Sequence, residues 1–287
     1  MLFIDDKQNK LVLKSKSGKT LWRGTLMIED ESGESVCSLS ADYSEQTDRW
    51  KAKLSFSSSN GELDVLNINI LPIDGKKLKR ILLRLEGGKD GIPSLNSSDT
   101  RMLGSRGGTF GEDGVLSLGT GDVTKSSLAT ILHHPEREYS LLFGIGGISE
   151  DFAFFHTDEQ FLTAGFDINR VIQKQETYCL AFGANTDPFG LLDNYGDYLA
   201  KFARPSIAAQ TGWNSWDYYG AAVSMKSVRE EMAAISASPL KGKLKYIVLD
   251  MGWEQAWGEW TPNSRFPREY RSIAQDIYVK NVQFPIG

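Results

Sequence analysis

The sequence predicts a large antiparallel β-sandwich or barrel followed by a parallel α/β unit. Three observations carry this. From residue 10 to about 184, short apolar or alternating runs are divided by turn clusters. No helical periodicity interrupts that stretch. Near residue 205 the texture changes to alternating helix- and strand-like segments, the pattern of a parallel sheet, open or closed into a barrel.

In chain order, KLVLKS, TLWRGTLMIE, WKAKLSFS, ELDVLNINIL, RILLRLE, SLLFGI, DFAFFH and ETYCLAFG read as strands. SKSGK, ESGE, SSSNG and GGKDG between them are turn chemistry. DPFGLLDNYGDYLAKFA then offers Asp187 as N-cap and Pro188 at the first helical position. Leu191, Tyr195, Tyr198, Leu199 and Phe202 follow at helical spacing, predicting a helix that leaves the β-domain and packs against what comes next.

After ARPSIAAQ the order reads helix, strand, helix, strand. Ser227 and Glu230 form a capping-box pattern, and Met225, Val228, Met232 and Ile235 make one apolar stripe. KYIVLD (245–250) is unalternating and β-rich, as expected of a strand buried on both faces. Residues 268 to 280 carry Tyr270, Ile273 and Ile277 on one helical face, and VQFPIG resembles the start of another strand. The implied organisation is an N-terminal β-domain over 1–186, a linking helix and linker over 187–210, and the α/β portion over 211–287.

Thirty-two basic against 37 acidic residues give a net charge of −5, which argues against nucleic acid or an anionic membrane as the main partner. No apolar run approaches the ~20 residues needed to span a bilayer. The start, MLFIDDKQNK, lacks the basic and apolar regions of a signal peptide, which leaves secretion unsupported and favours the cytoplasm. Cys37 and Cys179 sit in separate strand-like segments and read as small hydrophobes rather than a disulfide framework.

Several motifs resemble chemistry without meeting its requirements. GSRGGTFGEDG (104–114) lacks a preceding strand and a following helix, and reads as a loop. GTGDVTKSS (119–127) places Thr124 where a phosphate loop needs glycine. FGIGGIS has the wrong spacing for a dinucleotide fingerprint. His133, His134 and His156 lack metal-ligand spacing, and no GxSxG elbow is present. Neither a cofactor nor a metal is implied.

Five of the seven tryptophans fall between residues 213 and 260. In TGWNSWDYYG, Trp213 and Trp216 bracket Asn214 and Ser215, with Asp217, Tyr218 and Tyr219 directly after. In YIVLDMGWEQAWGEW, Asp250 ends the apolar run and Trp253, Trp257 and Trp260 follow. Core filling plus a turn accounts for part of this pattern. The interleaved polar groups suit a sugar, whose C–H faces stack on indole while its hydroxyls need donors and acceptors. In a parallel α/β architecture ligands sit at the carboxyl ends of strands, where both segments fall. Asp250 is then expected in the same mouth as Trp216, accepting hydroxyl hydrogen bonds.

TGWNSWDYYG, YIVLDMGWEQAWGEWTPNSRFP and RSIAQDIYVKNVQFPIG together resemble the start of the catalytic barrel of clan D glycoside hydrolases, best family 36, the α-galactosidases. The resemblance in motifs covers roughly residues 211 to 287; the N-terminal part is similar only in layout. It implies a β-supersandwich, a linking helix and a (β/α)₈ barrel. It also implies that Trp216 lines a galactose pocket, that Asp250 binds its outer hydroxyls and that Trp253 stands beside it. Trp213 and Asp217 are further substrate-binding candidates. Glu259 and Trp260 take the place of a GDW-like turn, which with Trp257 and Met251 is expected to support the pocket.

This sequence departs from the family in two ways. Met251 replaces a second aspartate, and a thioether cannot accept strong hydrogen bonds from hydroxyls, which opens specificity to a modified sugar or one lacking a hydroxyl. The stretch from 211 to 287 is also a fraction of the ~250 residues of a typical barrel. The family's nucleophile and acid/base aspartates, ~5–5.5 Å apart in a retaining enzyme, are thus expected beyond residue 287. The chain reads as a truncated product that is inactive alone and could oligomerise at full length. Three functions follow as expectations: a retaining α-galactosidase-like hydrolase, a raffinose-synthase-like transglycosylase, or a non-catalytic carbohydrate-binding protein.

Overall fold

The computed structural model describes residues 1–5, 7–39, 44–46, 50–59, 63–72, 75–86, 92–104, 114–118, 124–158, 160–203 and 211–266. The predicted helix over 268–280 and the strand-like VQFPIG lie outside these residues, as do most of the two glycine-rich loops. The chain divides into two compact units, Met1–Ala203 and Arg204–Gly287.

Among the described residues the first unit holds two eight-stranded antiparallel sheets. In one sheet the strands run Leu2–Asp5, Lys10–Lys14, Thr20–Asp30, Lys77–Glu86, Phe161–Val171, Phe152–Thr157 and Thr124–Ser126, with Gly33–Val36 also paired to Thr20–Asp30. In the other the order is Gly114–Ser117, Arg101–Gly104, Ala129–His133, Ser140–Ile145, Glu176–Asn185, Leu63–Pro72, Trp50–Ser59 and Ser44–Gln46. All eight sequence-predicted windows fall on strands.

Alternation places Trp22, Leu26, Ile81 and Leu83 from the first sheet in one buried cluster with Leu66, Ile68, Phe143 and Phe182 from the second. Trp22 is fully buried, with ring centroids 5.0 Å from Phe182 and 6.2 Å from Phe143. Among the described residues its indole nitrogen has no hydrogen-bond partner. Arg170 bonds both Asp151 (2.7 Å) and Glu176 (2.6 Å), and the Tyr178 hydroxyl lies 2.8 Å from each of the same two carboxylates, with one proton to give between them.

The predicted linking helix, α1 (Pro188–Ala200), starts as expected, with the Asp187 side chain accepting from the Phe189 amide. Its packing differs from the expectation. Leu191, Tyr195 and Tyr198 are buried against Leu63, Ala129, Ile131, Leu142 and Ala181 of the second sheet, so α1 belongs to the β-domain. Two hydroxyls lock it there: Tyr195 donates to the Ile145 carbonyl (2.9 Å) and Tyr198 to that of Gly146. The Tyr195 ring lies over Gly144, where an added Cβ would sit 2.6 Å from the ring.

The second unit begins with strand Gly212–Asn214, helix α2 (Trp216–Tyr219) and a 3₁₀ turn, Gly220–Ala222. Helix α3 (Met225–Ser236) then crosses over to strand Tyr246–Val248, which pairs in parallel with the first strand, Trp213 opposite Ile247. A hairpin of Glu254–Ala256 and Glu259–Pro262 follows. The predicted stripe of α3 is buried as read, Met225, Val228, Met232 and Ile235 sharing a core with Val223 and Phe266.

Two local expectations are corrected. The capping box is formed by Ser224 and Ser227, because the helix begins before Ser227 and leaves Glu230 inside it. KYIVLD is not buried on both faces: Val248 is 45% exposed, since the second unit's parallel sheet holds two strands among the described residues and α3 covers one side. The parallel strand–helix–strand arrangement is observed.

Candidate functional site

The carboxyl ends of the two parallel strands are tied together by side chains from the first tryptophan segment. Ser215 is fully buried; its amide donates to the Val248 carbonyl (3.1 Å) and its Oγ accepts from the Asp250 amide (3.0 Å). The hydroxyl thus holds Asp250 at the strand end. The Asp250 carboxylate is oriented from two sides, with Oδ1 accepting from the Met251 amide (2.7 Å) and Oδ2 from Asn214 Nδ2 (3.1 Å). Asn214 Oδ1 in turn accepts from the Trp216 amide (2.8 Å), at the start of α2. A carboxylate oxygen has two lone pairs, so each Asp250 oxygen keeps capacity for another donor.

The chain then reverses through Gly252, at φ +114°, a conformation that favours glycine. A Cβ there would lie 2.5 Å from the Ala221 carbonyl oxygen, so the turn also needs the missing side chain. The buried Gly252 backbone is satisfied on both sides. Its amide donates to Glu254 Oε2 (3.0 Å), and its carbonyl accepts from Asn263 Nδ2 (2.8 Å) and Arg265 Nη2 (3.0 Å). Asn263 also bonds the Glu254 carbonyl (3.1 Å), which fastens the far end of the hairpin to the turn after Asp250.

Between strand end and hairpin lies a hollow of about 420 Å³, lined by Val248, Asp250, Met251, Trp253, Trp257 and Glu259 among others. That volume falls in the range of small-molecule sites, ~300–1,000 Å³. Its walls combine indole, thioether and aliphatic surface with the carboxylates of Asp250, Glu254 and Glu259. The arrangement suits a neutral ligand that presents both hydroxyls and C–H faces.

The sequence-predicted residues divide into three groups, with Trp260 apart from them. Asp250, Met251, Trp253, Trp257 and Glu259 come together around the hollow, with Trp253 half-buried against the core of the second unit and Trp257 85% exposed at the hairpin tip. Trp216, 43% exposed, stands apart from that lining and connects to Asp250 through Asn214; Asp217 is exposed beside it on α2. Trp213 turns away, packing on the α3 core with its ring centroid 6.4 Å from Tyr219. Trp260 lies on the second hairpin strand, and its side chain is outside the described part.

Sequence reasoning did not assign positioning roles to Ser215, Gly252 and Asn263. The one available signal was Gly252, a glycine placed directly after the strand-ending Asp-Met pair. Ser215 and Asn263 act on backbone groups, which no side-chain pattern advertises. Searched against family models and curated proteins, the sequence matches none.

Proposed function

We propose that the chain carries the sugar-anchoring face of an α-galactosidase-like glycoside hydrolase, its second unit the opening of a (β/α)₈ barrel that follows a β-supersandwich in the chain. The observation that carries the reading is Asp250: its amide is held at the ends of two parallel strands by Ser215 and its carboxylate is oriented by Asn214 and the Met251 amide, with accepting capacity left over, beside a hollow walled by indoles. Charge-assisted acceptance of hydroxyl hydrogen bonds by such a group orients a sugar strongly. Asp250 serves as an anchor rather than a nucleophile. The retaining mechanism draws on two other carboxyl groups, and Asp250 is committed to Asn214 and the backbone.

Titration of the chain with methyl α-D-galactopyranoside, followed by tryptophan emission and calorimetry, tests this. A saturable response is expected, lost in Asp250→Ala and weakened about tenfold in Asn214→Ala, the worth of one hydrogen bond to a charged group. Absence of any saturable response, or wild-type binding by Asp250→Ala, would overturn the assignment. Met251 favours a second reading, a carbohydrate-binding protein without turnover, because the hollow has a thioether where the resemblance calls for an acid. Release of galactose from an aryl α-galactoside by the native gene product selects the hydrolase; binding without release selects the binder.

A further inference from the structure

We infer that a cavity at the strand ends of the β-sandwich binds a small carboxylate with a compact hydrocarbon body. The cavity belongs to the first unit alone, so the inference does not depend on the reading of Asp250.

The cavity measures about 250 Å³ and opens where strands of both sheets end. Leu13 and Leu21 come from the first sheet, Phe182 from the second, and Leu191 from α1. Its base is continuous with the two cores: Leu13, Leu21 and Phe182 belong to the cluster between the sheets, and Leu191 to the cluster under α1. The part of an occupant that reaches this base must be apolar, since a polar group there would lose water without gaining a partner. At a water's share of liquid volume, ~30 Å³, the space equals about eight waters. Bonded atoms pack closer, which limits the occupant to roughly ten heavy atoms.

The polar part of the lining has the opposite need. Tyr139 packs half-buried on the core, yet among the described residues its hydroxyl has no hydrogen-bond partner. The tyrosines buried elsewhere in this unit, Tyr178, Tyr195 and Tyr198, all have bonded hydroxyls, as is usual for the residue. Asn185 accepts the Asp187 amide through Oδ1 (3.0 Å), which leaves Nδ2 as a donor without a partner among the described residues. Lys16, exposed in the turn between Lys10–Lys14 and Thr20–Asp30, has no ion-pair partner among them either. Three unengaged donors thus share one small cavity, and Lys14 and Lys16 outnumber its one carboxylate, Asp64. A carboxylate suits this lining, because it only accepts and its hydrogen bonds to such donors are charge-assisted. Hydrocarbon at the base and an anion at the donors define the ligand class.

The probe is sodium benzoate, titrated into the 287-residue chain and followed by calorimetry and ligand-observed NMR. Saturable binding is expected. Tyr139→Phe, which keeps the packed ring and loses only the hydroxyl, should weaken it about tenfold, the worth of one hydrogen bond to a charged group. Lys16→Gln, at an exposed position, should weaken it about threefold. Two comparators divide the ligand: benzamide keeps the ring without the charge, acetate the charge without the ring, and each should bind at least tenfold more weakly than benzoate. No saturable benzoate binding, or benzoate affinity unchanged in both variants, overturns the site. Benzamide binding as tightly as benzoate overturns the anion, and acetate binding as tightly overturns the apolar base; either result sinks the inference.

Discussion

Replacing Gly252 with alanine isolates the turn that aims Asp250. Two penalties add at this position. A non-glycine residue at φ +114° costs about 1–3 kcal/mol of backbone strain. The new Cβ would also lie 2.5 Å from the Ala221 carbonyl oxygen, well inside the ~3.3–3.6 Å at which carbon and oxygen ordinarily meet. Relieving that overlap moves the 3₁₀ turn Gly220–Ala222, which precedes α3, at about 1–3 kcal/mol of the overpacking kind. A total near ~3 kcal/mol corresponds to a fall of about 12 °C or more in the melting transition of a unit this size. Gly258→Ala is the internal control. It has a similar positive φ of +82°, but no described atom lies within 4 Å of the added Cβ, so it bears only the backbone penalty. Thermal unfolding followed by tryptophan emission is the assay, since five of seven tryptophans report on the second unit. If Gly252→Ala melts no lower than Gly258→Ala, the close approach to Ala221 does not constrain the turn and the reasoning is wrong.

Other consequences are equally direct. Ser215→Ala removes the acceptor of the Asp250 amide, at about 1–3 kcal/mol, and hydrogen exchange at that amide should accelerate markedly; unaltered protection would show that the hydroxyl does not hold the strand end. Trp22→Phe should cost less than about 1.5 kcal/mol, although it shrinks a fully buried side chain, because it removes a buried N–H that has no partner among the described residues; Trp22→Ala should cost about 3–5 kcal/mol, and urea midpoints separate the two. The hydrogen bond from Arg170, opposed in part by burial, holds the Glu176 carboxyl below its usual range. Its stabilisation is therefore present above the ordinary value near ~4.3 and is lost as pH falls through the lowered folded value. Glu176→Gln should accordingly be less stable at neutral pH and show a flatter decline toward acid; an unchanged acid limb in urea titrations at successive pH values would count against this.

The β-domain could be read from alternation where alternation was clean, as in ELDVLNINIL, and was missed where it was broken. Strand Phe161–Val171 is central and eleven residues long. However, it contains Gly165 with polar Asp167 and Asn169, and its register against Lys77–Glu86 shifts between Asp167 and Arg170, with Asn169 at φ +52°. A bulge of this kind removes the period that marks a strand. The start of α1 was visible because Asp187 and Pro188 act on neighbouring backbone. Its docking was not visible, because Tyr195 and Tyr198 donate to carbonyls about fifty residues away.

The site divides on the same line. Asp250 could be read as the residue where an apolar run stops. That Trp213 faces the core while Trp253 and Trp257 face the hollow could not, since a three-residue strand carries too little pattern to fix its faces. Ser215 and Asn263 were hidden because what they organise is backbone, 35 residues away for Ser215 and 9 to 11 for Asn263.

The seam between α1 and the second sheet ties two distant positions into a single heritable unit. With the Tyr195 ring lying where a Gly144 side chain would go, neither position can drift alone. Enlarging residue 144 first produces a collision with the ring. Shrinking residue 195 first loses the hydroxyl bond to Ile145 and opens a void under the helix. Any lineage that exchanges one for the other must cross one of these intermediates, so the pair should change seldom and, when it does, together.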